Sequence, residues 1–514
     1  MFPGFFSTFS LSCGERMSIN LTSVVNFRQN RKDYKAKAIK AIKFLLAIVV
    51  LYCLITACNN EQIATPTTAL LTPSPTVRII TPIPSPTPTV SPEPTSSIDI
   101  DPAELDGLTL EFWHAWADEP GTTMQALVDE FNASNEFGIL VHPAYVGNYN
   151  DLNEKLLGVS LDGFFPKLAV GFNYQIITWG GDTNRVVDLS IYTDDPVWGY
   201  SAAEQSDFIP QFWNHDQVNG IRFGLPFQRS AYLMFYNTTW ALELGFDAPP
   251  STPEEFKEQA CAAAQANNAN PNIISGTGGW VSNTAPSSIL SWMYAFGSSV
   301  VSPAEDGYDL ATPETEDAFF FLKELYDNGC AWQIEGQYAE PEFANRLALF
   351  ITASLVDLPY LVQAMQTAQN NDTWTIIGFP SIEGKPVISA YGPSLAIFSS
   401  TEAEQLASWI FIKWLVSPPV QAQWVQATGA FPVRKSTLEH LNTYIREHPQ
   451  WLAAIELLPY AKTEPHFPSW SIVRWTVSDV GIQTFRYYFT ADRIPDMLNL
   501  LEETAAELHA RFRQ

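Results

Sequence analysis

Three observations in the sequence predict an α/β fold built on mainly parallel sheets with flanking helices. From residue 108 onward, short apolar segments alternate with amphipathic segments, the pattern of parallel strands joined by helical crossovers. Several amphipathic segments begin with Thr followed by Pro or Glu, as helices often do. Apolar residues make up 46% of the 514 residues, which is enough for a large core in two or three domains.

The first part of the pattern is regular. The predicted strands are 108–116, 139–146 and 167–172. The predicted helices are 121–134, in which Met124, Leu127, Val128 and Phe131 share one face, and 150–159. Strand, helix and strand therefore succeed one another without a long gap, which favours crossovers within one sheet.

After an irregular stretch the alternation resumes and continues to the C-terminal end, where the last hundred residues are predicted to be mostly helical. The later strands are 231–240, 374–380 and 394–400. The later helix starts are Thr252 with Pro253 and Glu255, Thr312 with Pro313, and Thr401 with Glu404.

The charge of the chain is negative and unevenly placed. The formal net charge is -27, which argues against a nucleic-acid partner because phosphate binding needs a basic surface. Residues 1–57 hold eight Lys or Arg and two acidic residues, which leaves 20 basic and 53 acidic residues in 58–514. A basic start before an acidic body is typical of a targeting segment.

The N-terminal segment is predicted to be a signal peptide. Residues 44–57 form an uncharged run of fourteen residues, shorter than the ~20 that a membrane span needs. The sequence "LITAC" that ends at Cys58 resembles the lipobox of bacterial lipoproteins, which implies cleavage after Ala57 and a lipid on Cys58. An uncleaved anchor is the alternative, and the basic region is long enough that Met17 is an alternative start.

Residues 58–105 are predicted to be the lipidated Cys58 and a linker. Pro, Thr and Ser dominate 65–97, and no periodic apolar face is present. Such a segment cannot bury enough surface to offset its ordering entropy, and its prolines keep it extended. The prediction is a globular body tethered to the outer face of the cell membrane.

The segment 394–436 resembles the family 1 extracellular solute-binding proteins of ABC importers, the maltose-binding-like group. The matching residues are Trp409, Phe411, Lys413, Trp414, Leu415, Gln421, Trp424, Thr428, Gly429, Pro432, Val433, Arg434 and Ser436. Weaker likenesses at 110–116, 224–237 and 249–256 agree with it. The resemblance implies two hinge-connected lobes that close on a carbohydrate, and a monomer that delivers it to the permease.

The resemblance also implies that the chain crosses between lobes near 227–230, 390–394 and 432–436. Lobe 1 is then expected to comprise 106–228 and 394–433, and lobe 2 to comprise 229–393 and 434–514. In open α/β sheets, ligands bind beyond the carboxyl ends of the strands. Aromatic rings that stack on sugar faces, and amide or charged groups that bind hydroxyls, are expected there. The ligand-binding candidates are His114, Trp116, Asn173, Tyr174, Gln228, Arg229, Trp280, Tyr391, Gly392 and Trp470.

Other functions stay open at this point. No nucleotide-loop, hydrolase or metal-ligand motif is found, so neither a metal nor a cofactor nor catalysis is predicted. A surface glycoside hydrolase with a carboxylate pair is one alternative, and the same fold binding a peptide or a polyamine is another. Cys261 and Cys330 are expected to form a structural disulfide outside the cytoplasm, with two buried thiols as the alternative.

Overall fold

The computed structural model describes residues 95–159, 164–181, 185–334, 336 and 338–512. The predicted signal peptide, Cys58 and most of the predicted linker lie outside the described residues. In the part of the chain that is described, no helix combines the length and the apolar character that crossing a membrane requires.

Sixteen strands are found in the described residues. In chain order they are β1 (Thr109–His114), β2 (Leu140–Tyr145), β3 (Leu168–Phe172), β4 (Gln217–Val218), β5 (Ile221–Arg222), β6 (Leu225–Pro226), β7 (Ser230–Asn237), β8 (Gly278–Val281), β9 (Val300–Val301), β10 (Tyr308–Asp309), β11 (Ala331–Trp332), β12 (Ala348–Ser354), β13 (Trp374–Ile377), β14 (Ile388–Tyr391), β15 (Pro393–Ile397) and β16 (Ala461–Thr463).

Eighteen α-helices accompany them in the same described part. They are α1 (Asp118–Ser134), α2 (Tyr149–Gly158), α3 (Asn173–Gly180), α4 (Ser190–Thr193), α5 (Ala202–Asp207), α6 (Pro210–His215), α7 (Thr238–Glu243), α8 (Pro253–Ala269), α9 (Pro286–Ala295), α10 (Pro313–Asp327), α11 (Glu340–Ala344), α12 (Leu358–Thr367), α13 (Glu402–Leu415), α14 (Pro418–Thr428), α15 (Asn442–Glu447), α16 (Pro449–Ile455), α17 (Trp470–Thr484) and α18 (Ile494–Phe512). Short 3-10 helices lie at Pro102–Leu105, Leu355–Asp357, Lys435–His440, Leu458–Tyr460 and Ala491–Arg493.

The strands form two large sheets, one in each lobe, which confirms the two-lobed α/β prediction. The first sheet has the strand order β2-β1-β3-β15-β6, and the second has β11-β8-β12-β7-β14-β16 with β13 paired to β7. Two two-stranded ribbons, β9 with β10 and β4 with β5, lie outside these sheets.

The expectation of mainly parallel sheets needs correction, because both sheets are mixed. In the first sheet β1 runs parallel to β2 and β3, but β15 is antiparallel to β3 and β6. In the second sheet β7 is antiparallel to β12, β13 and β14. The chain enters β7 and β15 directly from the other sheet and not through a helical crossover. The point at which the chain enters each sheet therefore sets the direction of the strand.

The helix starts follow the local signals, and one differs in detail. Thr401 and Glu404 form a complete capping box at the start of α13, in which each side chain accepts a hydrogen bond from the other residue's backbone amide. At α8 the Thr252 hydroxyl accepts from the Glu255 amide, but the Glu255 carboxylate accepts from the Ser251 amide, one residue further back than in a standard box. The helix face predicted in α1 is confirmed, since Met124, Leu127, Val128 and Phe131 are all buried.

A disulfide joins Cys261 of α8 to Cys330, with a Cα–Cα distance of 4.4 Å. Cys330 is buried and lies just after α10, beside β11. The bond therefore ties α8 to the end of α10 within the second lobe. It closes a chain separation of 69 residues that includes β8 and α9.

The folded body begins before residue 106, where the sequence prediction placed it. Asp195 accepts hydrogen bonds from the Ser96 hydroxyl at 2.8 Å and the Ser97 amide at 2.9 Å. Leu105 is fully buried in the first lobe. Burial by itself would raise the pKa of Asp195, but the amides of Trp198 and Val197, with Ser96 and Ser97, hold that pKa at about 2. Residues 95–105 are thus attached to the first lobe through a carboxylate that stays charged.

Candidate functional site

Three backbone segments lie side by side between the sheets. The chain leaves the first sheet after β6 and enters β7 through Phe227, Gln228 and Arg229, and it returns from β14 to β15 at Gly392. The segment that follows α14 joins them, because the Phe431 amide donates to the Arg229 carbonyl at 2.8 Å. These crossings are where the two lobes can hinge.

Gln421 of α14 holds the first and third crossings together. Its Nε2 donates to the Phe227 carbonyl at 3.1 Å, and its Oε1 accepts from the Val433 amide at 3.4 Å. Trp424, on the same helix, packs its ring against Trp116 and Phe227 at 4.8 and 5.0 Å between centroids. Gln421 and Trp424, two of the residues that carried the sequence resemblance, therefore hold the crossings, whereas Trp409 and Lys413 bind the Trp198 carbonyl within the first lobe.

Gly392 has a φ of +147°, which side-chain-bearing residues rarely adopt. A Cβ on Gly392 would lie 2.3 Å from the Gln228 carbonyl oxygen and 2.9 Å from the Arg229 Cα. Only glycine lets the second crossing pass this close to the first.

A buried ion pair lies beneath the crossings. Arg229 and Asp216 are both at most 1% exposed, and Nη2 of Arg229 lies 3.1 Å from Oδ2 of Asp216. The guanidinium also donates to the carbonyls of Gln228 and Pro393, and Asp216 accepts from the Ser394 hydroxyl at 2.6 Å. Arg229 is therefore engaged within the protein, which corrects the expectation that it contacts a ligand.

The carboxyl ends of the parallel strands in the second sheet meet at the edge nearest the crossings. The residues at or just after those ends are Asn283 after β8, Trp332 at the end of β11, Ser354 at the end of β12 with Asp357 after it, Tyr391 at the end of β14 and Glu464 after β16. From the first sheet, Trp116 follows β1, and Asn173 and Tyr174 follow β3. Strand ends of both lobes thus converge on one cleft, as expected for a ligand site in α/β sheets.

Hydroxyl groups and one carboxyl line the edge of the second lobe. The Ser354 hydroxyl lies 2.9 Å from that of Ser230 and 2.8 Å from that of Tyr391, whose ring stacks on Tyr232 at 5.7 Å. Asp357 accepts from the Ser354 amide at 3.0 Å. Burial, with a contribution from Glu340, raises the pKa of Asp357 to about 6 against the lowering effect of the amide. Asp357 is therefore mostly charged at neutral pH.

Two polar contacts join the lobes across the cleft. Arg474 of α17 donates to the Tyr174 hydroxyl at 2.7 Å and lies 3.7 Å from the Glu464 carboxylate. His215 of α6 contacts the Glu464 carbonyl through Nε2 at 3.0 Å. Burial raises the pKa of Tyr174 to about 12 and lowers that of His215 to about 4, so neither group is ionised at neutral pH.

Six of the ten predicted site residues lie at the crossings or the cleft edge beside them: Asn173, Tyr174, Gln228, Arg229, Tyr391 and Gly392. Of these, Arg229 uses its side chain within the protein. His114 and Trp116 also lie near the end of β1, but both are buried and stack on each other at 5.5 Å. Burial lowers the pKa of His114 to about 4, and its Nδ1 accepts from the Trp116 amide at 3.3 Å. These two side chains pack within the first lobe, where Trp116 also contacts Phe227 and Trp424.

Trp280 and Trp470 need correction as stacking platforms, because both are fully buried. Trp280 packs edge-on against Trp292 and donates to the Thr352 hydroxyl at 3.0 Å. Trp470 donates to Glu464 at 2.8 Å. Both rings are enclosed by protein, so Trp280 packs the second-lobe core, and Trp470 positions Glu464.

The sequence prediction missed several residues at the crossings and the cleft. They are Asp216, Ser354, Asp357, Glu464 and Arg474. The strand-end rule that found Asn173 and Tyr174 could have found Glu464, had the three-residue strand β16 been recognised. No group of three or more His, Cys, Asp or Glu suited to a metal ion occurs in the described part of the chain.

Two mixed α/β lobes joined by several crossings, with strand ends converging on the cleft between them, define a two-lobed binding protein. A family model for bacterial extracellular solute-binding proteins matches residues 126–452, and the chain belongs to that family. Among curated relatives, the sn-glycerol-3-phosphate-binding periplasmic protein UgpB of Escherichia coli is 22% identical over 353 residues, which cover 64% of this chain and 75% of that protein.

Solved structures show the same fold. The sugar-binding protein MalE of Xanthomonas citri superposes with a TM-score of 0.68 at 20% identity, over 79% of this chain and 98% of that one. UgpB of Mycobacterium tuberculosis, solved with glycerophosphocholine, gives a TM-score of 0.62 at 17% identity, over 79% and 99% of the two chains. At these identities the likeness extends to the fold alone.

Proposed function

We propose that this protein binds a carbohydrate in the interlobe cleft and delivers it to an ABC importer without chemically changing it. Closure of the lobes around the hinge would favour the ligand-bound state, because a ligand that contacts both lobes binds the closed state better than the open state. We further propose that the mature protein is a monomer held at the outer face of the membrane by a lipid on Cys58.

The single observation that carries the binding role is the convergence of strand ends from both lobes, bridged by Tyr174 and Arg474. Hydroxyls of Ser354 and Tyr391 and the amide of Gln228 supply hydrogen-bonding groups there, and the stacked rings of Tyr232 and Tyr391 supply apolar surface. This combination suits a polyhydroxylated ligand with apolar faces.

Ligand binding should appear as a saturable change in tryptophan fluorescence and a smaller radius of gyration when the protein is titrated with a panel of mono- and oligosaccharides. Replacing Arg474 with alanine is expected to weaken binding about 10- to 100-fold, because a charged hydrogen-bond donor that bridges the lobes is lost. Arg511→Ala, at an arginine that is 71% exposed on α18, is the matched control and should leave binding unchanged. A panel without any saturable response would contradict the carbohydrate-binding role.

The lipid anchor has its own test, which uses two neighbouring cysteines. When the full chain is expressed in a bacterium fed a labelled fatty acid, the protein should carry the label and stay with the membrane. Cys58→Ala should abolish labelling, whereas Cys53→Ala, inside the apolar run, should keep it. Labelling that survives Cys58→Ala would show that the anchor lies elsewhere.

A further inference from the structure

A groove of about 640 Å³ lies on the surface of the second lobe. It is formed by the end of α12, the loop after that helix, the start of β13 and the place where α15 meets α16. Its volume is within the ~300–1,000 Å³ of sites for small ligands. We call it the amide groove, after its polar lining. The lining includes Gln366, Gln369, Asn371, Trp374, Glu447 and Gln450.

The amide groove is separate from the interlobe cleft. Trp374 pairs with Asn237, the last residue of β7. Ser230, at the edge of the cleft, is the first residue of the same eight-residue strand. The two ends of such a strand are about 23 Å apart, so a ligand in the amide groove does not reach the crossings.

Four amide side chains of the groove are not used by the protein itself. They are Gln366, Gln369, Asn371 and Gln450, which make no side-chain hydrogen bond within the described part of the chain. The neighbouring Asn370 differs, because its Nδ2 donates to the Ala344 carbonyl and its Oδ1 accepts from the Asp372 amide, both at 2.8 Å. Asn370 therefore fixes the loop, whereas each of the four other amides keeps a donor and an acceptor for a ligand.

Trp374 adds an aromatic surface to the groove. Its ring packs against Phe235 and Phe343, with 6.0 and 6.2 Å between centroids, and the residue stays partly exposed. Among the described residues that line the groove, Glu447 alone is charged. An aromatic ring beside neutral amides suits the apolar faces and the hydroxyls of a sugar.

Gln369 is held in an unusual backbone conformation at this groove. It directly follows Ala368, the C-cap of α12, and has a φ of +55°. Glycine is the residue most often found at this position after a helix, because it adopts a positive φ without strain. A glutamine here keeps an amide in the groove in spite of that strain, and strained positions are frequent at functional sites.

We propose that the amide groove is a second binding site and that it takes a neutral oligosaccharide. The ring of Trp374 stacks on one sugar unit, and the amides exchange hydrogen bonds with hydroxyls, which also donate and accept. With one charged residue in its lining, the groove does not require an ionised ligand. The proposal is independent of what the cleft binds.

Hydrogen exchange followed by mass spectrometry tests the site on the purified protein. The probes are maltohexaose, cellohexaose and chitohexaose, and a tryptic digest of casein serves as the peptide probe. At least one oligosaccharide should slow exchange in residues 366–374 and 447–450 in a saturable way. A ligand in the cleft would instead slow exchange at the crossings, in residues 227–230 and 390–394.

Three variants connect this protection to the amides. Gln369→Gly should weaken binding in the groove about 3- to 10-fold without lowering the Tm, because glycine fits the positive φ. Combining it with Gln366→Ala and Gln450→Ala should weaken binding at least about 30-fold. Gln363→Ala, at an exposed residue of α12 outside the groove, is the matched control and should bind as the wild type does.

The outcomes keep the groove and the cleft apart. Protection at the crossings alone would overturn the second site and leave the carbohydrate-binding role of the cleft intact. Protection of the groove by the casein peptides and by none of the oligosaccharides would overturn the carbohydrate assignment. A triple variant that binds the oligosaccharide as tightly as the wild type would show that the amides do not form the site.

Discussion

Replacing Asp216 with alanine is expected to lower the free energy of unfolding by about 3–5 kcal/mol, because it leaves the Arg229 guanidinium charged and buried without its counter-ion. Arg229 is only 1% exposed, so water cannot replace the carboxylate. The remaining acceptors of Arg229, among them the Pro393 carbonyl, are neutral. Urea unfolding followed by far-UV circular dichroism would measure the loss.

Two further variants sharpen this prediction. Glu324→Ala breaks the exposed ion pair with Lys257 and should cost at most ~1 kcal/mol. The double variant Asp216→Leu with Arg229→Met removes both charges and should recover much of the lost stability, since apolar replacement of a buried pair is often neutral. An Asp216→Ala protein no less stable than Glu324→Ala would show that the pair does not hold the crossings.

Removing the disulfide by Cys261→Ala with Cys330→Ala is expected to cost about 4 kcal/mol, because the bond closes a separation of 69 residues and limits the unfolded chain. The loss should be confined to the second lobe, which contains α8, β8 and α10. Hydrogen exchange should therefore quicken in those elements and stay unchanged in β1, β2 and α13.

Reduction of the wild-type protein supplies the control for the disulfide. With dithiothreitol, its unfolding midpoint in urea should fall to that of the double alanine variant, whereas the variant itself should not respond to the reductant. A midpoint that reduction does not change would mean that the crosslink contributes nothing to stability.

Much of the fold could be predicted because its signals are local. Thr401 and Glu404 mark the start of α13 within four residues, and the apolar residues on the buried face of α1 recur at helical spacing. The direction of a strand in its sheet, in contrast, depends on parts of the chain outside the strand. Nothing within the segment that forms β15 shows that it enters the sheet antiparallel to β3.

The binding cleft was predictable only where a strand end could be recognised. Tyr174 follows the five-residue strand β3, so the strand-end rule found it, whereas Glu464 follows the short strand β16 and was missed. The burial of individual side chains could not be predicted from the sequence either. Trp280 occupies a strand in a Gly-rich segment that resembles a ligand loop, yet Phe256, Trp292 and Phe485 enclose its ring. Which side of a tryptophan is covered depends on distant helices that the local sequence does not reveal.

The resemblance at 394–436 has a physical explanation that the sequence alone did not provide. Gln421 and Trp424 bind or pack the crossings, and Arg434 pairs with Asp207. The hinge needs these partners whichever solute is bound. A match in this segment therefore indicates the two-lobed architecture and carries little information about the ligand.

The hydrogen bonds of Ser96 and Ser97 to Asp195 have a mechanical consequence. If the lipid proposed on Cys58 holds the protein at the membrane, a force along the chain reaches the folded body at Ser96 and Ser97 and acts on the first lobe. The second lobe can then move relative to the first without displacing this point of attachment. Attachment to the membrane and closure of the lobes would be mechanically independent.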